Sequence, residues 1–303
     1  MEEHSTDWLR ASAATDLAQT ETPIASDFKL HRRFDRAARL LTERGLERLA
    51  DAHVMVVGCG GVGSFAAESL ARSGVGHISL VDFDLVCVTN TNRQLHAMRG
   101  QIGKAKVEVM AERLRLVHPQ GRIDARVAFY SADEADALLV PKPDFVIDAI
   151  DNLTAKAHLI ARCLEEKIPV VACMGAAARM DPTRVQIDDL ARTHHDPMAS
   201  AFRGILREKY GLRMDRRESV GVLAVFSDEH PIAPSPISYD AEEGFHCVCP
   251  QSDNDKHTCE KRSRIDGSVS WVTGTFGLVA ASVAVRSLLG QPVIATRSGA
   301  RRA

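Results

Sequence analysis

The feature that most constrains this chain is Gly58-Cys59-Gly60-Gly61-Val62-Gly63. It follows a short apolar run at 53–57 and leads into a stretch, 61–73, with helical spacing. Strand, glycine turn and helix in that order fit G-x-G-x-x-G. Its glycines let the backbone turn tightly and approach a phosphate. The helix that follows offers unpaired N–H groups and a positive dipole end. Asp82 stands after the next apolar run, 78–81, where an acid roughly 20 residues on grips ribose hydroxyls. A tight turn without a ligand would show the same glycines, and the loop alone does not separate a nicotinamide cofactor from ATP. No Gly-Lys-Ser/Thr follows it, so it is not a Walker A loop.

The rest of the chain repeats the alternation. Strands are expected at 123–127, 145–148, 169–173 and 220–226, and helices at 31–50, 104–117, 153–166, 199–209 and 275–289. Strands alternating with helices predict an α/β fold. The expectation is a Rossmann-like, doubly wound, mainly parallel sheet with a C-terminal strand, loop and helix extension. Residues 1–28 read as a disordered leader and 29–290 as the nucleotide-binding domain. Within it, 229–264 read as a mobile crossover loop, and 291–303 as a flexible tail. A chain of 303 residues, 45% hydrophobic, has ample core for such a domain. No basic start precedes an apolar run, so no signal peptide is expected and the cytoplasm is the expected location. The apolar stretch at 275–289 is short and contains Arg286, which predicts a buried helix rather than a membrane span.

Residues after the second strand turn the reading from NAD toward ATP. Asp82-Phe83-Asp84 leads into Asn90-Thr91-Asn92-Arg93-Gln94 and then Gly103-Lys104-Ala105-Lys106. A dehydrogenase needs no Asn, Arg and Lys there. When a carboxylate attacks an α-phosphate, negative charge builds at phosphorus and on the departing pyrophosphate, and fixed cations stabilise it where it develops. Arg93 and Lys106 are the candidate cations, and Asn90 a candidate donor to phosphate or nucleotide. Taken singly, each also reads as an ordinary surface residue; their joint spacing makes the argument.

These residues, with Asp148-Ala149-Ile150-Asp151-Asn152, resemble the nucleotide site of the E1-like (ThiF/MoeB/HesA) superfamily over roughly 33–180. The resemblance implies ATP with Mg²⁺. It implies the glycine loop (Gly58, Gly60, Gly61, Gly63) and Asp84 around the nucleotide, and Asp82 on ribose. It puts Asn90, Arg93 and Lys106 on phosphates and Asp151 near the metal. Asp151 also reads as the N-cap of the next helix, with Asn152 an equal candidate for that cap. The family further implies a homodimer in which an N-terminal arginine of one subunit reaches the other's phosphates; Arg36 matches, with Arg39 as substitute. Both also read as solvated helix positions.

Three further stretches are similar to one branch of that superfamily, the tRNA threonylcarbamoyladenosine dehydratases. They are Thr89–Ala97, Met180-Asp181-Pro182-Thr183, and Asp189-Leu190-Ala191-Arg192-Thr193 followed by Asp196-Pro197. Val272-Thr273-Gly274-Thr275-Phe276-Gly277 is similar as well. The branch implies a tRNA substrate whose modified adenosine lies beside the anticodon. Its threonyl carboxylate is adenylated and the tethered carbamoyl nitrogen displaces AMP, closing a ring. A basic run (Arg203, Arg207, Lys209, Arg213, Arg216, Arg217) suits a nucleic-acid backbone, and also suits a solvated face.

The alternative is an activator of ubiquitin-like or sulfur-carrier proteins. Such activators commonly carry two C-x-x-C zinc pairs, and this chain has none. It has Cys247, Cys249 and Cys259 near His246 and His257, which is poor zinc spacing. Those cysteines are candidates for acyl transfer or exchange with a sulfur-relay partner, or are simply loop residues. Cys59 and Cys173 read as packing residues. A monovalent cation is an expected companion of the site.

Overall fold

The computed structural model describes residues 28–237 and 265–293. The expected leader, the Cys247/Cys249/Cys259 cluster, most of the crossover loop and most of the tail lie outside the described residues. Seven strands form one sheet: β1 (His53–Val57), β2 (His77–Val81), β3 (Arg122–Arg126), β4 (Phe145–Asp148), β5 (Val170–Cys173), β6 (Val185–Asp189) and β7 (Leu223–Ser227). Their order is β3-β2-β1-β4-β5-β7-β6. All neighbours run parallel except β6, which is antiparallel to β7. The doubly wound expectation therefore holds. β6 is absent from the sequence reading: Val185 and Ile187 alternate with Gln186 and Asp188, but the run is short and only part-buried until its last residue.

The period of two in the strands builds two cores from one sheet. Val54, Val56, Ile147, Leu223 and Val225 face one side, covered by α2 (Glu43–Asp51), α3 (Gly63–Arg72), α4 (Lys106–Val117) and α8 (Ser270–Leu288). Met55, Val57, Val146, Ala224 and Phe226 face the other, covered by α5 (Ala135–Leu138), α6 (Leu153–Glu165) and α7 (Pro197–Tyr210). Helix α8 is long and apolar enough to cross a membrane by length and composition. It lies along α3 and buries Phe276, Ala280, Ala281 and Ala284 in the first core, as expected of a core helix.

The single helix expected at 31–50 is corrected. A 3₁₀ turn, Arg32–Phe34, and α1 (Asp35–Leu41) end at Thr42, and α2 starts anew. Thr42 takes φ 65°, a left-handed conformation costly for a β-branched residue. In return its hydroxyl accepts from Gly45 N at 3.1 Å and caps α2. Capping won over helical periodicity there. Phe34 contacts the site of Gly74 after α3 and stacks edge-on against His118 after α4, with centroids 5.1 Å apart. These contacts hold the α1 region at the amino edge of the sheet.

Candidate active site

Strand order reverses between β1 and β4, whose carboxyl ends open a crevice for ligands in sheets of this kind. The glycine loop fills the β1 side. Gly58 has φ +92°, and a Cβ there would meet the Ala149 carbonyl oxygen at 2.6 Å. A Cβ on Gly63 would sit 1.8 Å from the Gly58 carbonyl oxygen, so no side chain fits. Helix α3 then begins without any side-chain cap. Ser64 N and Ala66 N donate to the Gly60 and Val62 carbonyls, and the positive end of the helix dipole faces the loop with no side-chain cap to occupy it.

Asp82 fastens this loop to β2. Its carboxylate accepts from Cys59 N at 2.6 Å and from Asp84 N at 2.8 Å. The segment after it doubles back: Leu85 bridges Ala105, Val86 N donates to the Lys104 carbonyl, and Lys106 N donates to that of Asp84. That pairing delivers Lys106 to Asp84, with Nζ 2.7 Å from Oδ2 and the lysine only 6% exposed. Burial by itself pulls the ammonium's pKa down. The carboxylates of Asp82, Asp84 and Asp151 outweigh it, so Lys106 stays a cation, its pKa held above the usual lysine range. Burial raises the Asp82 pKa, against the opposing pull of Lys106.

Asn90 is buried; its Oδ1 accepts from Cys87 N at 3.0 Å, which leaves the amide NH₂ as its donor. The turn it closes carries Arg93 over the loop. Arg93 Cγ stands 3.3 Å from where a Cβ of Gly61 would be, and Nη1 donates to Thr89 O and Asn92 Oδ1. On the β4 side, Asp151 is exposed, and Asn152 caps α6 by accepting from Thr154 N and Ala155 N. The capping reading of Asp151 is thereby removed, and its carboxylate is left beside the Lys106 cluster.

Of the expected residues, the structure gathers Gly58, Gly60, Gly61, Gly63, Asp82, Asp84, Asn90, Arg93, Lys106 and Asp151 at one crevice. It does not gather Arg36. That residue is exposed on α1, at the opposite edge of its own sheet. Arg39 pairs with Asp35 at 3.6 Å. Cys59, Cys163 and Cys173 are buried, and burial raises each thiol pKa, that of Cys173 to about 12. They are packing residues, not nucleophiles.

Two functional features escaped the sequence reading. Lys156 and Asp148 form an ion pair, Nζ to Oδ2 2.9 Å, with both side chains 0% exposed. Lys156 Nζ also donates to Ile150 O at 3.2 Å, and Asp148 Oδ1 accepts from Ile150 N at 3.1 Å. The pair therefore pins the turn that presents Asp151. Its trace in sequence is a lysine eight positions after an aspartate, indistinguishable from a surface pair. The second is Thr273 on α8, whose side chain stands 3.2 Å from the Cβ position of Gly61. It lies in a stretch singled out by resemblance, but nothing local assigns it to the loop.

A model of the ThiF family matches residues 34–301. This chain belongs to the ThiF family. It is 43% identical over 264 residues to the tRNA threonylcarbamoyladenosine dehydratase of Escherichia coli K12, covering 86% of this chain and 94% of that protein. The crystal structure of the E. coli enzyme in complex with ATP superposes with TM-score 0.74 at 40% identity, covering 88% of this chain and 97% of that one. The molybdopterin-synthase adenylyltransferase of E. coli is 38% identical over 138 residues, or 45% of this chain and 54% of that protein. The E1-like resemblance and the Rossmann-like fold are both borne out.

Proposed function

We propose that this ThiF-family chain is an ATP-dependent dehydratase that converts N6-threonylcarbamoyladenosine in tRNA to its cyclic form through a carboxyl-adenylate. One observation carries the reading. Arg93 and the buried cation Lys106 converge on an uncapped helix terminus at the switch point, within a match to the E. coli dehydratase that spans nearly the whole of both chains. The alternative of a carrier-protein activator has less support, because likeness to the molybdopterin-synthase adenylyltransferase covers under half of this chain.

ATP seated here has its phosphates over the start of α3, its ribose toward Asp82, and Asn90, Arg93 and Lys106 around the phosphate chain. Mg²⁺ usually takes one or two protein carboxylates together with substrate phosphates. Exposed Asp151 suits that role, held in place by the Asp148–Lys156 pair. The cations stabilise charge on the departing pyrophosphate, and AMP then leaves as the carbamoyl nitrogen closes the ring. A homodimer is part of this proposal. Arg36 cannot serve its own glycine loop from the far edge of the sheet, so Arg36 of the partner subunit is assigned to the phosphates. A cytoplasmic location, a bound monovalent cation and a sulfur-relay partner complete the reading.

The test is mass spectrometry of nucleosides from threonylcarbamoyl-modified tRNA incubated with the protein and ATP–Mg²⁺. Loss of one water from the modified adenosine, with AMP released in step, is expected. Pyrophosphate exchange stimulated by a carrier ending in Gly-Gly, and not by the tRNA, would overturn it.

A further inference from the structure

A second cavity, of about 570 Å³, lies outside the nucleotide crevice and is lined by His194, His195, Asp196, Arg203, Arg216 and His230, among others. The histidine pair and Asp196 precede α7, and His230 follows β7. Asp196 also packs against Gly175 just after β5, its Oδ1 being 3.6 Å from the Cβ position there. The cavity therefore opens on the same carboxyl edge as the glycine loop, three strands along. At the usual strand spacing that is roughly 14 Å.

Its charge sets it apart from the surface around it. Arg184, Arg192, Arg207 and Arg213 each stand within 4.0 Å of a carboxylate. Among the described residues, neither Arg203 nor Arg216 forms an ion pair. Among the described residues Asp196 is the only carboxylate lining the cavity, and its Oδ1 accepts from Ala199 N as the cap of α7. Both guanidiniums are instead anchored on Thr193. Arg203 donates to its carbonyl at 3.1 Å and to its hydroxyl, and Arg216 to the carbonyl at 3.4 Å. Burial lowers the Arg203 pKa and the neighbouring positive charge of Arg216 lowers it further, against the opposing pull of the Asp196 carboxylate. Two guanidiniums held together against the single carboxylate of Asp196 leave an excess of positive charge, a preorganised anion fork.

The histidines add aromatic rings to its wall. His195 has φ 59°, uncommon for a non-glycine residue, and its ring lies 4.8 Å from that of His230 at 38°. Among the described residues no group of three His, Cys, Asp or Glu is placed to hold a metal ion. Imidazole faces do receive unstacked bases of single-stranded RNA.

We propose that this cavity holds a nucleotide neighbouring the reacting one on the RNA strand, with Arg203 and Arg216 on its phosphate and His195 and His230 against its base. The proposal rests on the tRNA reading above and adds where the strand is gripped. It divides the basic run: Arg203 and Arg216 bind, whereas Arg207 and Arg213 pair with Glu208 and Glu218 on the surface.

The test uses the full chain and a fluorescent, threonylcarbamoyl-modified anticodon stem-loop, read by anisotropy across a salt series. Arg216→Gln should weaken RNA binding about three- to tenfold and lower the salt slope by about one. His230→Ala should weaken binding with little change of slope, since no phosphate contact is lost. Arg213→Gln, outside the cavity, should match wild type. ATP affinity and the melting temperature should be unchanged in all three. Wild-type RNA affinity in both Arg216→Gln and His230→Ala, while wild type still forms the cyclic product, overturns this proposal alone. A wild-type protein that neither binds nor converts the modified RNA overturns the tRNA reading and this proposal with it. A second ATP site in wild type that Arg216→Gln abolishes would assign the cavity to a free nucleotide and also overturn it.

Discussion

Lys156→Met removes the cation from a fully buried pair. Nζ lies 2.9 Å from Asp148 Oδ2, donates to Ile150 O at 3.2 Å and to Asp148 O at 3.4 Å, and both side chains are 0% exposed. Methionine keeps most of the volume, so the cavity contribution is small. What remains is a buried carboxylate whose one other donor is Ile150 N. Breaking such a pair from one side costs about 3–5 kcal/mol. The loss carries a pH signature. Burial already raises the Asp148 pKa while Lys156 draws it down, and without Lys156 it rises further. A carboxyl whose folded pKa exceeds its unfolded value binds a proton more readily in the folded state. Stability therefore increases as pH falls through the folded pKa, by up to about 1.4 kcal/mol per unit. Urea unfolding of wild type and variant at several pH values between 8 and 5 should show the deficit shrinking on acidification. Adding Asp148→Asn should recover at least about 2 kcal/mol at pH 7.5, because the stranded charge is gone. A loss below about 1 kcal/mol, flat with pH and unchanged in the double variant, would refute the reasoning.

Arg93→Ala should raise the barrier to adenylate formation by about 2–4 kcal/mol with little effect on stability; single-turnover release of pyrophosphate at the wild-type rate would contradict the role. Gly58→Ala meets φ +92° and an oxygen at 2.6 Å. The backbone alone costs about 1–2 kcal/mol, so a lower melting temperature together with weakened ATP binding is expected by calorimetry, and an unchanged protein would be evidence against the loop geometry. His96 is 0% exposed and burial, then Lys106, depress its pKa to about 3. Below the ordinary 6.5 its unfolded form takes a proton that the folded form refuses, so stability falls as pH drops. His96→Leu should remove about 2 kcal/mol of the stability difference between pH 7 and pH 5, read as a smaller shift of the urea midpoint.

Most of the candidate site was legible before the fold was known. Gly58 to Gly63, Asp82, Arg93 and Lys106 carry local meaning, because turn chemistry, helix termini and charge type are properties of short segments. The strands β1, β2 and β4 are equally local, since each is a short continuous apolar run covered on both faces. The break at Thr42 was not legible: an amphipathic pattern runs straight across it, and only the hydroxyl on Gly45 N shows that two helices meet there. Strand β6 was missed because it is a short strand that pairs on one side only, with four of its five residues only part-buried. The cap of α6 stayed open between Asp151 and Asn152 because both are good caps, and one residue of backbone phase decides which is used.

By itself the sequence determined that a glycine turn opens a doubly wound sheet, and which cations accompany it, since each depends on neighbours within a few residues. Only the tertiary structure decided that Lys156 is a buried partner of Asp148, that Arg36 stands at the wrong edge for its own loop, and that Arg203 and Arg216 leave the basic run to line a cavity. Burial and the distance between segments far apart in sequence set the strength of a charge, and neither exists until the chain has packed.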